Sequence, residues 1–138
     1  MIVIDTNVLS ELMRPTPDPA VVAWMSTVMP GDAATTAVTI AEIGHGIARL
    51  PMGKRREQLT QVFASLSAEI AHEVLPFDLA AAECFPGIAQ ARESAGRPMD
   101  ELDGMIAAIC VSRGAALATR NERDFEGTGV DVVNPWAA

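Results

Sequence analysis

Apolar positions along the chain alternate between short runs and longer stretches of helical spacing. Met1 to Ile4 is apolar, short and rich in β-branched residues, as a buried strand requires. Asp5-Thr6-Asn7 then turns the chain into a helix-like Val8 to Leu12. Arg14 to Pro19 is a proline-rich break, and Ala20 to Met29 follows as a helix with Val21, Met25 and Val28 on one stripe. Ala33 to Ala37 is a second candidate strand. Thr39 to Leu50 carries Ile40, Ile43, Ile47 and Leu50 at helical spacing and ends at Pro51-Met52-Gly53. Leu59, Val62, Phe63, Leu66 and Ile70 mark a long amphipathic helix, and Val74 to Phe77 a short strand or extended link.

A helix from about Leu79 is expected to break or kink at Pro86-Gly87 and to end near Gly96-Arg97-Pro98. Asp100 to Ser112 is the next helix, with Leu102, Met105, Ile106 and Ile109 inward and Gly114 as its stop. Ala115 to Thr119 is a buried strand, Asn121 to Phe125 a helical turn, and Asp131 to Val133 a last strand. Short strands separated by helices predict one α/β domain over residues 1–138, built on a parallel sheet covered on both faces.

Composition narrows the setting. The chain has 138 residues, enough for a sizeable core, and is 49% apolar. Cys84 and Cys110 have no metal-ligand spacing and fit a reducing compartment. The N-terminus lacks a basic region and carries an acid at position 5, so a cytoplasmic protein is expected rather than a secreted one. No apolar stretch approaches the roughly 18 residues of a membrane helix. Net charge is −8 and uneven: residues 1–69 hold 5 basic and 7 acidic residues, residues 70–138 hold 5 and 11. A protein that grips polyanions by charge alone is normally basic, so this one needs cations to approach nucleic acid.

The acids carry the candidate chemistry. Asp5 sits just past a strand, where open α/β sheets bind their ligands. Glu42 stands three residues after Thr39, Asp103 three after Asp100, and Asp124 three after Asn121. Taken singly, each is a helix-start acid that suits a capping box and the helix dipole. Taken together, Asp5, Glu42 and Asp124 should converge at the carboxyl edge of the sheet, with Asp103 less determined because its helix precedes a strand. Clustered carboxylates repel unless a cation binds them. Mg²⁺ or Mn²⁺ takes hard oxygen ligands, and two such ions can promote phosphodiester hydrolysis.

At these residues the chain resembles the PIN-domain ribonucleases, in particular the VapC-type toxins of bacterial toxin–antitoxin modules. The resemblance is carried by Val3-Ile4-Asp5-Thr6-Asn7-Val8, Thr39 to Ile43 with Gly46-Ile47, and Asp103 to Ala108. Leu117 to Phe125 and the terminal Val133-Asn134-Pro135-Trp136 complete it. It implies a three-layer α/β/α sandwich with a central, mostly parallel sheet. It also implies an Mg²⁺- or Mn²⁺-dependent endoribonuclease, with water attacking in line to leave 5′-phosphate and 3′-hydroxyl ends. Asp5, Glu42 and Asp103 match the family's core acids and metal ligands, and Asp124 a fourth that varies in role. Thr6, Asn7, Thr119 and Asn121 match supporting polar positions, and Asp100 lies near enough to join the acids, although turn and cap roles also suit these residues. The resemblance further implies a homodimer, a higher-order complex with a cognate VapB-like antitoxin, and DNA binding only through that antitoxin.

Two other constellations compete. Glu42-x-x-His45 and Glu69-x-x-His72 match the paired motif of a di-iron bundle, but the strand-like opening opposes four long helices. A phospho-receiver also gathers acids at a sheet edge, yet it needs a strand-end lysine, and Lys54 lies beside Arg55 and Arg56 at a helix start. Lys54 to Arg56 read as a solvated face, and Trp24 and Trp136 as packing residues. Arg120 and Arg123 read either as phosphate contacts or as a solvated turn.

Overall fold

The computed structural model describes residues 1–70 and 73–138. Its order is β1 (Ile2–Ile4), α1 (Thr6–Leu12), α2 (Pro19–Thr27), β2 (Ala33–Thr36), α3 (Ala37–Ala48) and α4 (Lys54–Ile70). There follow β3 (Glu73–Leu75), α5 (Leu79–Ser94), α6 (Glu101–Arg113), β4 (Ala116–Ala118), a 3₁₀ turn (Glu122–Phe125) and β5 (Val132–Val133). The five strands lie in the order β3-β2-β1-β4-β5, and every neighbouring pair is parallel. The sheet is thus wholly parallel where a mostly parallel one was expected. Its chain runs outward from β1 through β2 to β3, then returns to β4, so the direction of winding reverses between β1 and β4. Ile2, Val3 and Ile4 pair there with Ala116, Leu117 and Ala118.

Alternate residues of β1 feed two cores, as the pleat dictates. Val3 packs with Leu117, Ile106, Ile109 and Phe125 on one face. Ile4 packs with Val8, Leu9, Val21 and Ile43 on the other. Helices on both faces make the three-layer α/β/α sandwich. Gly104 lets α6 lie tight on α5: a Cβ there would stand 2.9 Å from the Phe85 ring. Gly114 ends α6 in the left-handed region at φ 63°, as its position predicted.

Several local expectations need correction. Pro86 does not break its helix. α5 runs unbroken from Leu79 to Ser94 with Pro86 and Gly87 on its exposed side, and its packing against α6 outweighs the lost backbone hydrogen bond. Thr39 does not cap α3. Thr36 does, accepting from the Thr39 N–H at 3.0 Å, which moves Glu42 into the second turn. Asn121 makes no side-chain cap. Leu102 is 42% exposed, while Ile106 and Ile109 are buried as expected, joined by Gly104 and Ala107. Val62 is also exposed. His72 and the side chain of Ile70 fall outside the described residues. Glu69 and His45 are exposed, and five strands leave no four-helix bundle for a di-iron site. No helix among the described residues is long and apolar enough to cross a membrane.

Candidate active site

The carboxyl edge of the sheet at the winding reversal opens into a cavity of about 460 Å³ whose wall includes Asp5, Glu42 and Asp103. Three elements deliver these acids. Asp5 ends β1 and caps α1, accepting from the Thr6 N–H at 2.8 Å. Glu42 projects from the second turn of α3. Asp103 lies in the first turn of α6, whose Asp100 cap accepts from the Leu102 and Asp103 N–H groups at 3.2 and 3.4 Å. α6 runs back from this edge to the start of β4, which brings Asp103 to the same edge as Asp5.

A polar lattice fixes Asp5. The Thr119 hydroxyl donates to its Oδ2 at 2.7 Å, and the Asn7 amide donates to the same oxygen at 3.3 Å. Asn7 also donates to Thr119 at 3.0 Å and accepts from the Arg120 N–H at 3.1 Å. The Asn121 N–H donates to Thr119 at 3.2 Å. Thr6 ties the second acid, its hydroxyl donating to Glu42 Oε1 at 3.0 Å and lying 3.4 Å from the Thr39 hydroxyl. Thr6, Asn7 and Thr119 hold the frame around Asp5 and Glu42 with their side chains, and Asn121 contributes its backbone N–H alone. Asp100 acts as a cap at the margin.

Asp124 is exposed and lines a neighbouring depression with Arg120 to Arg123 rather than the central cavity. Its charge still reaches Asp5 and Asp103. The turn that carries it is pinned by Arg92, a buried arginine of α5 that sequence reading passed over. Arg92 donates to the carbonyls of Arg123 and Glu126 at 3.2 and 2.8 Å. A charged residue buried by its partners leaves no hydropathic trace.

Electrostatics mark the cavity as short of positive charge. Burial raises the Asp5 carboxyl above its usual range against the pull of its hydrogen bonds. Burial raises Glu42 as well, with Asp5 and Asp100 adding to it. Asp103 is pushed up to about 7, first by burial and then by Asp5, Asp100, Asp124 and Glu42. Two arginines reach the wall, yet neither is ion-paired with these three acids. Arg14 bonds Glu11 at 3.3 Å, and Arg120 lies over the Trp136 ring. Ser10, Glu11, Arg14 and Trp136 join the wall unannounced by the sequence; Trp136 also packs into the second core.

The donor set suits a hard divalent cation: three carboxylates, one cavity, raised proton affinities and, among the described residues, no cation paired to them. Among the described residues, no three acidic, His or Cys side chains are placed so that they could hold a metal ion without moving. Cys110 is buried and its thiol is pushed up to about 12, and no disulfide joins it to Cys84.

Comparison with known proteins agrees with this geometry. The PIN domain model matches residues 2–130. A VapC ribonuclease of Sinorhizobium fredii is 39% identical over 137 residues, which are 99% of this chain and 98% of that protein. The toxin FitB of Neisseria gonorrhoeae is 36% identical, covering 99% of both chains. A solved structure of FitAB bound to a DNA fragment superposes with a TM-score of 0.85, at 36% identity over 99% of this chain and 96% of that one. The chain belongs to the PIN-domain family, in its VapC-type branch.

Proposed function

We propose that the chain is a single-domain endoribonuclease that hydrolyses RNA phosphodiester bonds with Mg²⁺ or Mn²⁺, and that it acts as the toxin of a toxin–antitoxin pair in the cytoplasm. One observation carries the catalytic half. Three carboxylates from β1, α3 and α6 share one cavity, with raised proton affinities and no cation paired to them.

Asp5, Glu42 and Asp103 would hold the metal, with Asp124 adding negative charge at the margin. Thr119 and Asn7 orient Asp5, and Thr6 orients Glu42. Asp103, its proton affinity raised by burial and by the neighbouring acids, would release its proton to an arriving positive charge. A bound divalent cation supplies the charge that lets water attack a phosphodiester at neutral pH. No nucleophilic side chain is required.

The toxin half rests on likeness to a VapC ribonuclease and to FitB, together with the FitAB complex on DNA. A VapB-like antitoxin placing an arginine among the carboxylates would replace the metal's charge. We assign DNA contact to that partner, since this chain carries a net charge of −8. A homodimer within a larger toxin–antitoxin complex completes the assembly.

Expression of the wild-type chain alone should arrest growth. Co-expression of the small open reading frame beside its gene should restore growth and yield a copurifying complex. Harmless expression with no complex would overturn the toxin role and leave the nuclease role standing.

A further inference from the structure

The cavity wall holds one cation without a carboxylate partner, and its geometry points to what it binds. Arg120 follows Thr119 at the end of β4, exposed and at the rim of the acidic cavity. Arg14, on the same wall, is neutralised by Glu11 at 3.3 Å. Arg120 forms no salt bridge and no side-chain hydrogen bond among the described residues. Its guanidinium instead lies 5.0 Å above the centre of the Trp136 ring.

Both members of that stack are anchored. The Arg120 N–H donates to Asn7 Oδ1 at 3.1 Å, and Asn7 bonds Asp5, so the arginine backbone is registered to the central acid. Trp136 packs into the second core, and its backbone N–H donates to Asn134 Oδ1 at 3.0 Å. A guanidinium held over an aromatic ring spends none of its N–H donors on that contact, and an arginine fork can take a phosphate bidentately. Beside carboxylates that repel polyanions, a fixed and unneutralised arginine is where a nucleic-acid backbone gains attraction.

We propose that Arg120, held over the Trp136 ring, clamps a backbone phosphate of single-stranded RNA next to the bond that is cleaved. This rests on the ribonuclease reading above. Trp136 is the positioning residue and Arg120 the one that touches substrate. Arg123 sits one turn further out and leaves the cavity wall to Arg120.

The test uses a fluorescently labelled single-stranded RNA, its affinity measured in EDTA over a range of salt, and KM and kcat measured in Mn²⁺. Arg120→Ala should raise Kd and KM about ten-fold and flatten the salt slope by roughly 0.7, the share of one phosphate on a single strand. Arg120→Lys keeps the charge but not the fork, and should fall between the two. Trp136→Phe keeps an aromatic platform and should stay within about three-fold of wild type; Trp136→Ala should approach Arg120→Ala if it folds. Wild-type cleavage with unchanged affinity and salt slope in Arg120→Ala overturns the clamp and leaves the nuclease standing. A wild-type protein that neither binds nor cleaves RNA overturns both.

Discussion

Asp5→Asn should lower RNA cleavage in Mn²⁺ by about 100-fold or more, which is about 2.7 kcal/mol of barrier. The substitution isolates charge from structure. Asn keeps an oxygen that can accept from the Thr6 N–H, so the cap on α1 survives. It keeps side-chain volume, so Val8 and Leu9 beneath it are undisturbed. What it loses is the negative charge and the second oxygen: an amide NH2 replaces the acceptor of the Thr119 and Asn7 donors. The same lattice that orients Asp5 would then present an amide to the cation. Relief of the buried charge offsets part of that mismatch, so activity should fall far more than melting temperature does. An Asp5→Asn protein with full metal-dependent activity would remove the acidic cavity from the mechanism.

Asp103→Asn should abolish most of the stabilisation that Mn²⁺ gives. A ligand at about 100 times its Kd stabilises a protein by about 2.7 kcal/mol, which in a domain of this size is roughly 8–14 °C in melting temperature. If Asp103 were only a helix-start acid, its loss would cost about 0.3–1 kcal/mol at any metal concentration. As one of several repelling carboxylates, its neutralisation should leave the metal-free protein at least as stable as wild type. Its pKa gives an independent check. The folded value, about 7, lies above the usual 3.8, so the folded state holds the proton more tightly than the unfolded chain. The stability from that proton is fully present below pH 3.8 and is lost as pH rises through 7. Asp5 and Glu42, also raised, act in the same direction. Wild type in EDTA should thus melt lower at pH 8 than at pH 5, and Asp103→Asn should show a shallower decline. Melts in EDTA and in millimolar Mn²⁺ at both pH values measure all of this. An equal Mn²⁺ shift in the two proteins would make Asp103 a helix-start residue alone.

The parts of the molecule legible in the sequence are those written in local pattern. Ile2 to Ile4 followed by Asp5 announces a buried strand and an acid at its carboxyl end, and Gly114 announces the end of α6. The meeting of Asp5 and Glu42 follows from the strand–helix order, whereas Asp124, expected beside them, lies in the neighbouring depression, and Asp103, left less determined, joins them because a helix leading into a parallel strand begins at the same edge. What stayed hidden depends on contacts between distant segments. Thr36 rather than Thr39 caps α3 because β2 ends one residue earlier than its apolar run suggests. Pro86 survives inside α5 because its ring faces outward while α6 holds the other side. Arg92 and the Arg120–Trp136 stack join residues that are 31 and 16 positions apart or more, beyond any periodicity.

The most direct test of the central claim is the chemistry of the cut ends. Purified wild-type protein should be incubated with single-stranded RNA in Mn²⁺ and in EDTA, and the product termini identified. Attack by water within the acidic cavity predicts cleavage in Mn²⁺ alone, with 5′-phosphate and 3′-hydroxyl ends. Cleavage that persists in EDTA with 2′,3′-cyclic phosphate ends, or intact RNA under both conditions, would contradict it.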